Sequence, residues 1–129
     1  MKYGLLIAVF IALQCSVAAA ATYECKATKA DTAVTLPKNY LEQYQHSLKL
    51  QEQTEVVRVG RCSFAQSMGR VTCDWYDVDR VEFDERAGLK KYYVFSAQFN
   101  LQIFLANLSF LEDNGRGGIY WGQCVVAEP

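Results

Sequence analysis

The chain has 129 residues, 51% apolar and 21% charged, with eight Gly and two Pro, a profile that excludes disordered, collagen-like and low-complexity classes. Thirteen Lys and Arg against fourteen Asp and Glu leave a formal charge of −1, so bulk charge does not supply the affinity expected of a protein built to neutralise phosphates. The length suits one domain.

Lys2 provides a positive start, Tyr3 to Leu13 is an unbroken run of Gly and apolar residues, and Ala18, Ala19 and Ala20 are small. This three-part pattern predicts a secretory signal over residues 1–21, with 22–129 as the single mature domain. A membrane anchor is the alternative, because only Gln14 and Ser16 interrupt the stretch to Ala21. The short apolar core and the Ala cluster favour cleavage, after which no membrane association is expected. Cleavage removes Lys2 and Cys15, leaving 108 residues with 12 basic and 14 acidic side chains, a net charge of −2.

Four cysteines remain, Cys25, Cys62, Cys73 and Cys124, and a secreted domain of this size with an even count reads as carrying two disulfides. Three connectivities are possible. Cys62 and Cys73 flank the turn signal Ser67-Met68-Gly69 between two β-prone runs, so a bridge across a hairpin is the local solution, and Cys25 then meets Cys124. With one His and no close C-x-x-C pair, zinc is not expected, and neither is another metal or a cofactor.

Residues 37–52 predict the one convincing helix. Leu41, Tyr44 and Leu48 make an apolar stripe, Pro37 suits a first turn, and Asn39 with Glu42 has capping-box spacing. His46 falls on the opposite side of that helix, facing solvent, with Glu42 one turn earlier. Beyond Gln53 the pattern shifts to short β-branched and aromatic runs at 56–61, 70–78, 92–96, 101–108 and 119–126, separated by turns at 66–69, 86–88 and 113–118. One helix followed by consecutive strands indicates an α+β fold, a single helix packed on an antiparallel sheet, because parallel pairing needs crossover helices.

Asp74 to Glu85 holds carboxylates at 74, 77, 79, 82, 84 and 85 against Arg80 alone. Asp77 and Asp79 suggest calcium, but the spacing lacks the central Gly and closing Glu of a calcium loop, so a solvated strand edge with its connection is expected. Asp113 to Gly118 resembles a phosphate cradle without its Lys-Ser/Thr ending or following helix, and reads as the turn into the last strand. Asn107-Leu108-Ser109 is a glycosylation sequon, meaningful where Asn107 is exposed. No Ser-His-Asp or Cys-His site can be assembled without His46.

Three adjacent aromatic pairs stand out: Trp75-Tyr76, Tyr92-Tyr93 and Tyr120-Trp121. Neighbours along a strand point to opposite faces, so each pair places one ring under the helix and one on the far side. Were these strands adjacent, the helix-free face would carry an aromatic patch suited to anchoring a protein partner or stacking on a base; covering loops or a curled sheet are the alternative.

Tyr23-Glu24-Cys25 just after the cleavage site, paired with a single Cys124 near the carboxyl end, resembles the Tyr-x-Cys secreted effectors of powdery mildew fungi, within them the ribonuclease-like class. Leu36-Pro37, Lys91-Tyr92-Tyr93-Val94 and Leu101-Gln102-Ile103-Phe104 add to the likeness, whereas residues 53–88 contribute nothing to it. The resemblance implies a fold similar to the fungal guanyl-specific ribonucleases, one helix across a curved antiparallel sheet with the terminal cysteines bridged. It also implies delivery into a plant host cell, binding of host proteins, and recognition of some members by an intracellular immune receptor, which makes the effector an avirulence protein. The Cys62 and Cys73 pair departs from the simplest members.

Active ribonucleases of that kind use a Glu with two His and an Arg. One His cannot meet that requirement, so no catalytic residue is carried over, and a monomeric, non-hydrolytic protein is expected, with RNA binding weak and salt-sensitive at net −2. The alternatives are an active ribonuclease using Glu residues with Arg58, Arg61 or Arg70, and a cystatin-like protease inhibitor suggested by Val56-Val57-Arg58-Val59-Gly60.

Overall fold

A computed structural model describes residues 21–53 and 55–127. Apart from Ala21, the predicted leader lies outside the described residues. The elements in chain order are β1 (Ala21–Thr32), α1 (Tyr40–Tyr44), β2 (Ser47–Glu52), β3 (Val57–Ala65), β4 (Arg70–Asp77), β5 (Arg80–Asp84), β6 (Leu89–Val94), β7 (Phe99–Phe104), β8 (Ser109–Asp113) and β9 (Gly118–Ala127). All nine strands join one antiparallel sheet in the order β4-β3-β2-β1-β9-β8-β7-β6-β5. No helix among the described residues is long and apolar enough to cross a membrane.

The sheet curls into a half-barrel. In a flat sheet β2 and β6 stand five strand spacings apart, about 24 Å, yet Lys90 Nζ on β6 lies 3.4 Å from both carboxylate oxygens of Glu52 on β2, and the Tyr92 hydroxyl donates to the same carboxylate. The chain path makes the same demand. Strands β4 and β5 occupy opposite edges but are joined only by Val78 and Asp79, whose amides donate to Val57 O on β3 and Tyr93 O on β6 at 2.9 and 2.8 Å. The two edges therefore meet at that corner.

Alternation decides what fills the hollow. Leu48 and Leu50 on β2, Val59 on β3, Tyr92 and Val94 on β6, Leu101 and Ile103 on β7, and Phe110 on β8 all point inward and are essentially sealed from water. Two disulfides join residues directly opposite each other on paired strands. Cys25–Cys124 links β1 to β9, and Cys62–Cys73 links β3 to β4, which is the pairing expected from the hairpin.

The helix is much shorter than the sequence pattern suggests. Within the expected 37–52, only Tyr40–Tyr44 is helical, and Ser47–Glu52 is strand β2. Gln45 adopts a left-handed conformation (φ 51°) and its N–H returns to Leu41 O, ending the helix. The Leu48-Lys49-Leu50 alternation then fits a strand buried between β1 and β3, and ladder hydrogen bonds on both sides outweigh a helical stripe of three residues. Asn39 makes no side-chain cap. The acidic stretch 74–85 forms both sheet edges with their connection, as its composition suggests. The turns at 66–69 and 113–118 also lie where expected, with Asn114 Oδ1 accepting from the Arg116 and Gly118 amides.

Candidate functional site

His46 lies one residue past the left-handed Gln45, in the α1–β2 junction, and this corrects its expected place on a solvent-facing helix side. Because the chain turns into β2 there, the imidazole enters the concave face instead. Its Nε2 is 2.6 Å from Glu112 Oε2 on β8. Arg61 on β3 brings its Nε to 2.8 Å from the other oxygen, Oε1. This second contact is a close ion pair without hydrogen-bond geometry, so it supplies charge attraction and not a linear hydrogen bond.

Glu112 has no exposed side-chain surface, while His46 and Arg61 keep 13% and 21% of theirs. Aromatic rings close the surroundings. The Tyr120 ring lies 4.4 Å from the imidazole, and the Arg61 guanidinium sits 4.7 Å over Phe99. Burial first, then the charge and hydrogen bond of Tyr40, then the Glu112 charge hold the Tyr120 phenol above its ordinary pKa, keeping it neutral. A cavity of about 200 Å³ opens beside the cluster, lined by Tyr40, His46, Arg61, Ser63, Asp74 and Tyr120.

An imidazole, a carboxylate and a guanidinium in mutual contact are a set from which acid-base chemistry on a phosphate ester can be built. Here both carboxylate oxygens already have cationic or hydrogen-bonding partners, and the carboxylate is beyond the reach of a solvent-borne substrate. The cluster ties the α1–β2 junction and β3 to β8 across the hollow. Glu52 with Lys90 and Tyr92 makes the corresponding tie between β2 and β6.

The aromatic pairs split between faces as alternation requires. Tyr76, Tyr92 and Tyr120 turn inward: Tyr92 and Tyr120 are buried, and Tyr76 meets Phe99 edge-on at 5.3 Å. Trp75, Tyr93 and Trp121 turn outward, but their strands β4, β6 and β9 are not neighbours, so the three do not form one continuous patch. Each has its own charged company instead. Trp75 covers Gly60 and lies 5.3 Å from the Arg58 guanidinium, Trp121 is 5.3 Å from Lys29 Nζ, and Tyr93 donates to Glu82 Oε2 at 3.0 Å. Burial and then Glu82 raise the Tyr93 phenol above its ordinary pKa.

Of the suggested calcium pair, Asp77 lies 3.6 Å from Arg58 Nε, and Asp79 Oδ2 accepts from the Phe95 amide at 2.7 Å. Among the described residues no group of three or more His, Cys, Asp or Glu side chains converges to hold a metal. Of Val56–Gly60, the segment likened to a cystatin hairpin, Val57–Gly60 begins β3, with Arg58–Gly60 paired on both sides and Val59 buried, and so is not a loop free to enter a protease cleft.

The role of Glu112 escapes the sequence reading, although a signal exists: Phe110 and Glu112 share one face of a short alternating run, which places a carboxylate at a core position. No family model matches the chain, and neither a curated protein nor a solved structure is significantly similar to it.

Proposed function

We propose that this chain is a secreted, disulfide-braced virulence effector with a ribonuclease-like but non-hydrolytic scaffold, acting as a monomer by binding host plant proteins. The observation that carries the non-hydrolytic part is the engagement of the one histidine of the sequence: its Nε2 is held on a carboxylate with no exposed surface. General acid-base catalysis needs proton-transfer groups free to meet a substrate atom, and here His46 Nε2 and Glu112 Oε2 are engaged with each other. The outward surface supports the binding part. Trp75, Tyr93 and Trp121 each present a ring beside a charge, a combination suited to anchoring protein contacts, whereas a net charge of −2 favours RNA poorly.

By its resemblance to the mildew effectors, the protein enters the host cytoplasm and is there a candidate for recognition by an intracellular immune receptor. Co-expression in leaf cells with a panel of host receptors tests this. Cell death in one matched pair is expected; its absence, together with unchanged infection after silencing of the gene, overturns the reading.

The meeting of His46, Glu112 and Arg61 favours a second reading, a ribonuclease in which the partly exposed His46, oriented by Glu112, exchanges a proton with the substrate and Arg61 stabilises the phosphoryl group. RNA cleavage lost on both His46→Ala and Glu112→Gln would establish it.

A further inference from the structure

The connection between β7 and β8 carries the one Asn-x-Ser/Thr triplet of the chain, Asn107-Leu108-Ser109; Asn39, Asn100 and Asn114 are followed two residues later by Leu41, Gln102 and Arg116. We propose that Asn107 is an N-glycosylation site whose glycan the folded domain carries without rearrangement. The inference rests on the secretion component of the function proposed above.

Three observations support it. Asn107 is exposed, as are its neighbours Phe104, Leu105 and Ala106, so a glycan there displaces nothing from the core. The acceptor groups are already juxtaposed: Asn107 Oδ1 accepts from Ser109 Oγ at 2.7 Å and from the Ser109 amide at 3.0 Å. Both bonds end on the oxygen, and neither occupies Nδ2, the atom to be modified. The backbone below is also fixed. Leu108 N donates to Phe104 O at 2.8 Å, Cys124 N donates to Leu108 O at 2.7 Å, and the Gln123 side-chain Nε2 donates to the Asn107 backbone carbonyl. The turn thus projects Asn107 from a frame fastened to the Cys25–Cys124 bridge. By contrast, the Asn114 side chain already caps its own turn.

The flanking residues give the modification a use. Phe104 and Leu105 leave 37% and 36% of their surfaces in water, and a hydrophilic glycan on the adjacent position shields them from other apolar surfaces. In the transfer, Nδ2 bonds to the anomeric carbon of an oligosaccharide donated by a lipid-linked pyrophosphate. The bond from that carbon to the pyrophosphate oxygen breaks, its electron pair leaves with the lipid pyrophosphate, and one amide proton passes to a base of the transferase.

The full chain secreted by a yeast host tests the proposal through intact mass before and after treatment with an amidase that releases N-glycans. Wild type and Ser109→Thr should carry removable mass, with Asn107 converted to Asp on release, and Asn107→Gln and Ser109→Ala should not. Secreted wild type at the bare polypeptide mass, or removable mass that survives in Asn107→Gln, overturns the proposal. Wild type retained inside the cells without glycan overturns the secretion reading, and the proposal with it.

Discussion

Replacing Glu112 tests whether the buried cluster holds the half-barrel together. The carboxylate has no exposed side-chain surface and contacts His46 Nε2 at 2.6 Å and Arg61 Nε at 2.8 Å. Removing one partner of a buried ionic set typically costs about 3 to 5 kcal/mol. Because His46 and Arg61 retain 13% and 21% exposure, water can partly resolvate them, so Glu112→Ala should lie near the lower end, about 3 kcal/mol. By the scaling for domains of this size, that is a fall in Tm of about 12 °C or more.

Glu112→Gln preserves volume and one acceptor for Arg61, and its amide can donate to a neutral imidazole, so a smaller loss of about 1 to 2 kcal/mol follows. Urea unfolding followed by tryptophan fluorescence measures both variants. A cycle with Arg61→Ala should show a coupling of at least about 0.5 kcal/mol between positions 61 and 112. If Glu112→Ala unfolds within about 0.5 kcal/mol of wild type, as surface substitutions do, or its effect simply adds to that of Arg61→Ala, the cluster does not bind the two halves of the sheet.

The two bridges close loops of very different length, with sequence separations of 99 and 11, and chain-entropy arithmetic assigns about 4.7 kcal/mol to the longer and about 2.8 kcal/mol to the shorter. Denaturant unfolding of Cys25→Ala/Cys124→Ala should therefore show the greater loss than Cys62→Ala/Cys73→Ala, and the reverse order would contradict the account. At Gly122, opposite the bulge in β1, a Cβ would overlap the Lys26 carbonyl oxygen and stand 2.7 Å from Phe110 Cε1. Gly122→Ala should cost about 3 kcal/mol, the upper end for overpacking, measured by thermal melting; an unchanged Tm would refute the tight approach. Because the Tyr120 pKa is raised in the fold, the native state keeps a proton that the unfolded chain loses above its ordinary value of 10.0. That stability is intact below this pH and lost as pH climbs through the folded value. Tyr120→Phe should flatten the alkaline decline in a stability-versus-pH series, and an unaltered decline would assign it elsewhere.

Local chemistry made part of this fold legible. The turn between Cys62 and Cys73 identified their bridge, and the even cysteine count then assigned the terminal one. The carboxylates of 74–85 marked the strands left without a second neighbour. What the sequence concealed depends on distant partners. Leu41, Tyr44 and Leu48 fit a helical stripe, and only pairing with β1 and β3 turns Leu48 into a strand residue. Strand β1 hid because its inward positions include small Ala27 and Ala30, a weak hydrophobic signal even in a strand paired on both sides. His46, Arg61 and Glu112 come from three separate segments, and it is the curl of the sheet that brings them within contact.

That the single imidazole serves architecture and not turnover is tested most directly by incubating refolded, disulfide-intact protein with end-labelled single-stranded RNA at neutral pH beside its His46→Ala variant. The account predicts full-length RNA in both lanes at every time point. Cleavage by wild type that disappears in His46→Ala would contradict it.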